Sequence, residues 1–250
     1  MLFGKKKKRS EFGKIVVAEK DKGRKDEGYN RLRDNVLYLN ADGTKKVIQI
    51  ESAVEGEGKT TTACNLAVSL GLTGKKVIIV DLDFRRPKSH RVFKLSKDLG
   101  IAEYILDGKT KDEIIKHTEY GNVDIITRGK EVYNSSLVFI SDKFKDLIAE
   151  LREIYDFVIL DCAPVLLVSD YIHISKVSDG VLFMVAHSLT TKAQVVEAVK
   201  ELKKNGAEIL GSVFTMYDKR KSKYYAGGYS GKYYKYTEEL ENYPIEEEEE

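Results

Sequence analysis

The sequence predicts a doubly wound α/β domain, in which a mostly parallel sheet carries helices on both faces. Short segments that are apolar throughout alternate with longer amphipathic segments between about residues 46 and 216. Strands with this character are buried on both sides, because helices cover both faces of their sheet. The 250 residues suffice for one such domain with a substantial core. Ligands of these sheets bind at the carboxyl ends of strands, so function is expected in the loops there.

The elements follow in order along the chain. A first helix is predicted from residue 27, because apolar side chains recur at helical spacing from Tyr29 to Leu39, and "ADGTK" ends it. Strands are predicted at "KVIQIES", "KKVIIVDLD", "NVDIIT", "DFVILDC", "GVLFMVA" and "EILGSVFTM". Helices are predicted over residues 60–72, 141–155 and 191–206, the second with one apolar stripe and the third ended by Gly206.

Both ends of the chain differ in composition from the domain, which we place at residues 27–218. Residues 1–26 are rich in lysine and lack apolar periodicity, so we expect a basic flexible arm. Residues 219–250, called the tail below, are rich in glycine, lysine and tyrosine and then in glutamate, so we expect them to be disordered. The start "MLFGKKKKRS" is interpreted as a solvated terminus, with contact to an acidic membrane surface as the alternative.

The overall composition excludes several classes of protein. The formal net charge of +2 gives no indication of a nucleic-acid partner. The two cysteines have no metal-ligand spacing and suit a reducing compartment. No apolar run approaches the roughly 18 residues of a membrane span. We therefore expect a cytoplasmic protein.

The segment "ESAVEGEGKTTT" joins the first predicted strand to a helix and has the character of a phosphate loop. Against the pattern G-x-x-x-x-G-K-[ST], Ala53 replaces the first glycine. The glycines let backbone amides converge on an anion at the helix N-terminus, Lys59 supplies charge for the β- and γ-phosphates, and Thr60 a hydroxyl for Mg²⁺. The alternative, a glycine-containing turn with an incidental lysine, is disfavoured by the flanking strand and helix. The expected nucleotide-binding residues are Gly56, Glu57, Gly58, Lys59, Thr60, Thr61 and, from the next loop, Arg85.

Carboxylates end two further strands. "VIIVDLDFRRP" ends in Asp81 and Asp83, and "FVILDCAP" ends in Asp161. Carboxylate oxygens beside phosphate oxygens are the ligands that Mg²⁺ prefers. A single aspartate at a strand end is more often a solvated turn residue, but three on two strands beside a phosphate loop favour a site for Mg²⁺ and a nucleoside triphosphate.

The three motifs together resemble those of the bacterial tyrosine kinases, cytoplasmic P-loop NTPase-like enzymes of capsule and exopolysaccharide synthesis. "SAVEGEGKT" matches the form S-x-x-x-G-E-G-K-[ST], "VIIVDLDFR" matches apolar residues and then D-x-D-x-R, and "VILDCAP" matches the third motif. The resemblance implies ATP and Mg²⁺ as ligands, with Thr60, Asp81 and Asp161 at the metal. It also implies that Asp81 is the catalytic base, that Asp83 and Lys59 support catalysis, and that Asp161 orders Mg²⁺ or its waters.

The tail extends the resemblance, because a tyrosine cluster in this position is the autophosphorylation target in the family. The alternatives are a low-complexity tail without a substrate role and a stacking surface for nucleic acid, but we expect no nucleic-acid partner. The resemblance also implies transfer between subunits, a homo-oligomer that is ring-shaped in the family, and a cognate tyrosine phosphatase. A transmembrane activator of the polysaccharide co-polymerase type would hold the chain at the inner face of the membrane. The expected acceptors are Tyr224, Tyr225, Tyr229, Tyr233, Tyr234 and Tyr236.

Three positions depart from the family pattern. Glu55 stands where proline is frequent, Asn30 replaces an arginine of the helix motif E-x-x-R-x-x-R that is tied to ring formation, and Thr215 replaces an asparagine that contacts adenine. The main rival function is a regulatory ATPase like ParA or MinD, whose signature lysine would stand at Val54. A non-catalytic nucleotide-dependent scaffold is a third interpretation. The ATPase gives no reason for the tyrosine cluster, and the scaffold would need no Asp81.

Overall fold

A computed structural model describes residues 13–18 and 24–217, and the predicted α/β fold is confirmed there. The sheet has the strand order β3-β4-β2-β5-β1-β6-β7. All neighbouring pairs are parallel except β3 with β4. The strands are β1 Val47–Ser52, β2 Val77–Asp81, β3 Ile115–His117, β4 Val123–Ile126, β5 Phe157–Asp161, β6 Gly180–Ala186 and β7 Ile209–Thr215.

Helices cover both faces of this sheet. The longer ones are α1 Arg24–Leu39, α2 Lys59–Gly71, α4 Ile101–Asp107, α7 Asp142–Ile154 and α9 Lys192–Lys204. Four-residue helices lie between them: α3 Ser89–Val92, α5 Lys111–Ile114, α6 Ser136–Phe139 and α8 Tyr171–Ile174. None of the helices in the described ranges has the length and apolar character needed to cross a bilayer.

The central strands are buried on both faces because α2 and α7 pack on opposite sides of them. Every residue of β1, β2 and β5 is buried. Ile48 and Ile50 pack with the apolar side chains of α2, and Val158 and Leu160 pack with those of α7. This two-sided burial explains why the strands are continuously apolar and why the carboxyl ends of β1, β2 and β5 meet at one edge.

The structure differs from the sequence expectations at the start of the domain. The first helix begins at Arg24, within the expected basic arm. Residues 13–18, also within that arm, lie against α2: Asn65 accepts a hydrogen bond from the Val16 amide at 2.7 Å and donates one to the Lys14 carbonyl at 3.0 Å. Ile15 is buried in the core. A buried apolar side chain and backbone hydrogen bonds thus hold residues 13–18 against α2. The expectations for residues 1–12, 19–23 and 218–250 lie outside the described residues.

Candidate active site

The phosphate loop connects β1 to α2 and takes a conformation that requires glycine at two positions. Gly56 has φ of 84° and Gly58 has φ of 90°, the left-handed region that side-chain-bearing residues rarely adopt. α2 begins at Lys59, directly after Gly58. The N-terminus of α2 is a site of positive potential that suits phosphate.

The fully buried Glu57 forms hydrogen bonds that connect the phosphate loop to the ends of β6 and β7. Its carboxylate accepts hydrogen bonds from the Val54 amide at 2.8 Å, from the Ala186 amide at 3.1 Å and from the Thr190 hydroxyl. The Thr215 hydroxyl donates to the Glu57 carbonyl at 2.8 Å. These contacts occupy the carboxylate, so the predicted contact of Glu57 with nucleotide falls to its backbone. Thr215, at the end of β7, therefore helps to hold the phosphate loop in position.

The side-chain amine of Lys59 is hydrogen-bonded to the phosphate loop that precedes it. Its amine donates to the Ser52 hydroxyl at 2.8 Å, and that hydroxyl donates to the Val54 carbonyl at 2.7 Å. Only 7% of Lys59 is exposed. A buried ammonium whose partner here is a neutral hydroxyl is suited to a phosphate ligand, which would supply the opposite charge.

Asp81 ends β2 and is buried under the N-terminus of α3. One oxygen, Oδ2, accepts hydrogen bonds from the Lys88 and Ser89 amides, each at 3.2 Å, and from the Ser89 hydroxyl. The other, Oδ1, accepts a long bond of 3.3 Å from the Asp83 amide. Burial raises the pKa of Asp81 to about 6; the Ser89 hydrogen bond opposes this shift and the Asp83 charge adds to it.

Asp161 lies beside Asp81, because the two are register partners on adjacent parallel strands. Both oxygens of Asp161 are buried without a hydrogen-bond partner among the described residues. Burial and then the neighbouring Asp81 carboxylate raise the pKa of Asp161, while the nearby Thr60 hydroxyl and Lys59 charge oppose the shift. Two unpartnered carboxylate oxygens beside a second carboxylate are costly without a cation, so this arrangement fits a divalent metal ion.

The metal ligands supplied by the described residues are few. No group of three or more His, Cys, Asp or Glu side chains there is arranged to hold a metal ion by itself. The two neighbouring carboxylates of Asp81 and Asp161 suit Mg²⁺, which binds through one or two carboxylates and completes its shell with water and phosphate oxygens. Thr60, Asp81 and Asp161 fit that pattern as predicted ligands.

Asp83 and the two arginines that follow it form the turn after β2. Asp83 Oδ1 accepts hydrogen bonds from the Arg85 amide at 3.1 Å and the Arg86 amide at 2.9 Å, so it stabilises the turn. Arg86 forms an exposed ion pair of 2.5 Å with Glu55. That pair compensates the charge that Glu55 adds to the phosphate loop. The Arg85 side chain is exposed and lines a cavity described below.

Two buried polar residues near the site, Ser89 and Glu51, were not predicted from the sequence. Ser89, which holds Asp81, stands in "RRPKSHRVF" and could have been found as an N-terminal helix residue that follows a strand-end aspartate. Glu51 is fully buried before the phosphate loop. Its Oε1 accepts a hydrogen bond from the side-chain Nε2 of Gln49 at 2.8 Å, and its Oε2 has no partner among the described residues. Burial raises the pKa of Glu51 to about 8. No local pattern predicts this, because Gln49 and Glu51 look like the exposed face of an alternating strand.

Comparisons with known proteins place this geometry in a family. A family model described as an AAA domain matches residues 45–211. The tyrosine-protein kinase YwqD of Bacillus subtilis (strain 168) is 32% identical over 217 residues, which cover 87% of this chain and 91% of YwqD. The chain belongs to the bacterial tyrosine kinase family. The putative tyrosine-protein kinase CapB of Staphylococcus aureus is 30% identical, with 89% of this chain and 98% of CapB covered.

Solved structures give the same assignment for this kinase. The chimerical protein CapA2B2 superposes with a TM-score of 0.76 at 32% identity, covering 80% of this chain and 88% of that chain. The kinase domain of Escherichia coli Etk superposes with a TM-score of 0.75 at 29% identity, covering 81% and 80%. The cell-division ATPase MinD of Pyrococcus furiosus shares the fold, with a lower TM-score of 0.59 over 68% and 71%.

Some of the predicted site residues of this kinase lie close together in the structure, and others lie outside the described residues. Lys59, Thr60, Asp81 and Asp161 converge at the carboxyl edge of the sheet, where their charges and hydrogen bonds affect one another. Asp83 and Arg85 lie on the adjacent turn. The expected acceptor tyrosines, residues 224–236, lie outside the described residues.

Proposed function

We propose that this kinase transfers the γ-phosphoryl group of ATP to tyrosine hydroxyls, and that the tail tyrosines of a neighbouring subunit are acceptors. One observation carries the proposal: the buried carboxylates of Asp81 and Asp161 are register partners beside a phosphate loop with a buried lysine. Phosphoryl transfer depends mainly on positioning and charge neutralisation, and this arrangement supplies both.

The residues around the nucleotide divide the work of binding and charge stabilisation. The N-terminus of α2 and the amides of Gly56 and Gly58 hold the phosphates, and the Lys59 ammonium exchanges its Ser52 partner for a phosphate oxygen. Thr60, Asp81 and Asp161 would hold Mg²⁺, which would supply neutralisation of the charge on the β- and γ-phosphates.

Asp81 receives the proton of the acceptor. The tyrosine oxygen forms a bond to the γ-phosphorus while the bond from that phosphorus to the bridging oxygen breaks, which releases ADP. The phenol, with a pKa near 10, gives its proton to a carboxylate oxygen of Asp81. Burial raises the pKa of Asp81 to about 6 in the chain without metal, which indicates an environment that favours proton acceptance more than that of an exposed aspartate.

The wider setting of the reaction follows from the family resemblance. We propose a transmembrane activator of the polysaccharide co-polymerase type, which would hold this kinase at the inner face of the membrane and link it to capsule or exopolysaccharide synthesis. A cognate tyrosine phosphatase would reset the tail. Self-association into a ring would use α1, where Arg33 donates a hydrogen bond to Asn30 at 3.2 Å in place of the family's arginine pair.

The test mixes two full-length variants in the presence of ATP, Mg²⁺ and the activator segment. Lys59→Met can only receive phosphate, and a variant with the seven tyrosines from Tyr224 to Tyr243 changed to phenylalanine can only give it. We expect the first to be phosphorylated in the mixture at a rate that rises with total concentration, as measured by mass spectrometry of the tail.

Two outcomes would overturn the proposal in different ways. If the mixture stays unphosphorylated while the wild-type chain phosphorylates itself at a concentration-independent rate, transfer occurs within one chain. If ATP is hydrolysed and no phosphotyrosine forms under any condition, the chain acts as a MinD-like switch instead.

A further inference from the structure

A strongly basic cavity lies beside the turn that follows β2. Its volume is about 460 Å³. It is lined by six lysine and arginine side chains, one histidine and one carboxylate, and one of the six cations, Arg86, is paired with Glu55. The lining residues are Arg85, Arg86, Pro87, Lys88, His90, Arg91, Lys97, Arg128 and Glu131. A concave surface with this excess of positive charge attracts anionic groups.

Arg128 makes the cavity a built site rather than a cluster of surface charges. Only 5% of it is exposed. Its guanidinium donates to the Phe84 carbonyl at 3.2 Å and to the Gly129 carbonyl at 3.3 Å. Both partners are neutral, so a buried positive charge lacks a counter-ion within the described part of the chain. Burying an arginine in this way is costly unless an anion completes the site.

The cavity adjoins the carboxylates that act on the acceptor. Its Arg85 amide donates to Asp83, and its Lys88 amide donates to Asp81. Arg128 contacts the carbonyl of Phe84, within the same turn. A peptide held in the cavity would therefore place residues a few positions away in its sequence near Asp81.

The chain itself contains a segment of the opposite charge next to its tyrosine cluster. After Lys235 there is no lysine or arginine, and residues 238–250 contain eight glutamates. Tyr236 precedes Glu238 by two residues, which is about 7 Å of extended chain. A glutamate bound in the cavity would thus leave Tyr236 within reach of the reacting groups.

We propose that the basic cavity docks the acidic segment 238–250 of a second copy of this chain, and so presents the tyrosines before it to Asp81. This inference rests on the proposed kinase function, because it names how the substrate is held at that site. Docking raises the local concentration of tyrosine acceptors without any contact to the tyrosines themselves. It also makes acceptor binding sensitive to salt, since the lining side chains are largely exposed.

Binding is tested with a labelled peptide of residues 237–250, with Tyr243→Phe, by fluorescence anisotropy at low salt. The receptor is the full-length chain with all eight glutamates of residues 238–250 changed to glutamine, so that its own segment does not compete. We expect Arg91→Glu with Lys97→Glu to weaken binding about tenfold or more. Lys143→Glu with Lys203→Glu, exposed on α7 and α9, makes the same charge change outside the cavity and should have a much smaller effect.

The eight changes of glutamate to glutamine also test whether docking serves phosphate transfer between copies of the chain. In the two-variant assay, glutamine at the eight positions of the Lys59→Met acceptor alone should slow its phosphorylation at low concentration, with little loss at saturating concentration. If the acidic peptide binds the two double variants equally, or if only a tyrosine-phosphorylated tail peptide binds, the docking proposal is wrong. If the glutamine acceptor is phosphorylated at the wild-type rate at every concentration, docking is not between copies. A lack of any phosphorylation refutes the kinase function instead, while anisotropy still reports the docking.

Discussion

Glu51→Gln should stabilise this kinase at neutral and alkaline pH. The carboxyl group is fully buried, one oxygen accepts from Gln49 at 2.8 Å, and the other has no partner among the described residues. Glutamine keeps the size of the side chain and the accepting oxygen while removing the ionisable group. Glu51 is not among the residues that we place at the phosphates, the metal or the acceptor, and Lys59 acts on its pKa only as a neighbouring charge.

The magnitude follows from linkage between protonation and folding. The pKa of Glu51 is about 8 in the folded chain, against an ordinary value of 4.5. Between these values the folded state binds more protons than the unfolded state, so stability falls as pH rises from about 4.5 to about 8 and is level above that. At about 1.4 kcal/mol per pH unit, the cost is about 3 kcal/mol at pH 7. Glutamine avoids it, which corresponds to a melting temperature higher by roughly 6–12 °C.

The assay is thermal unfolding of wild type and Glu51→Gln between pH 5 and pH 8.5, without nucleotide. The stability difference should be small at pH 5 and grow steadily toward pH 8. Glu153→Gln, an exposed position on α7, serves as the control and should follow the wild type throughout. If the melting temperature of Glu51→Gln stays at or below that of wild type at pH 8, ionisation of the buried carboxyl does not lower the stability of the wild type.

Three further predictions test individual contacts. Asp81→Asn should still bind nucleotide but transfer phosphate orders of magnitude more slowly, as separate measurements of ATP affinity and single-turnover rate would show; a loss of affinity alone would make Asp81 only a metal ligand. Ser89→Ala removes a hydrogen bond that holds the pKa of Asp81 down, so the acidic limb of the pH–rate profile should move to higher pH, and an unmoved limb would refute the role of Ser89. Asn65→Ala should lower stability by about 1–3 kcal/mol and speed proteolysis near residue 16, because it removes hydrogen bonds that hold residues 13–18; unchanged cleavage there would contradict this.

Much of the fold was predictable because its central strands are apolar throughout. β1, β2, β5 and β6 lie within the predicted segments, and Asp81 and Asp161 end their strands at the same edge, as expected for a parallel sheet. β3 was not predicted: it has three residues and pairs antiparallel with β4 at the edge, where burial is incomplete and the apolar signal is weak. The four-residue helices were also missed, since each spans only about one helical turn, too short for an apolar repeat, and depends on tertiary packing.

The parts of the site that escaped prediction are those made by residues far apart in sequence. Arg128 follows β4 and reaches the turn after β2, and only the strand order brings these two segments together. Asn65 holds residues 13–18 across about fifty positions. A local pattern contains no information about such contacts, so the basic cavity and the ordered N-terminal segment become visible only in three dimensions.

The hydrogen bonds of Glu57 bear on how fast the enzyme turns over. Fixing the backbone of a mobile residue costs about 1–2 kcal/mol, so a phosphate loop that ordered anew around each nucleotide would give up much of its binding energy. Here one buried carboxylate and one carbonyl already join the loop to the ends of β6 and β7 before any ligand arrives. If nucleotide binds at this loop as we propose, the loop is preorganised for it, so we expect release of ADP or exchange of the acceptor segment, and not ordering of the loop, to limit turnover.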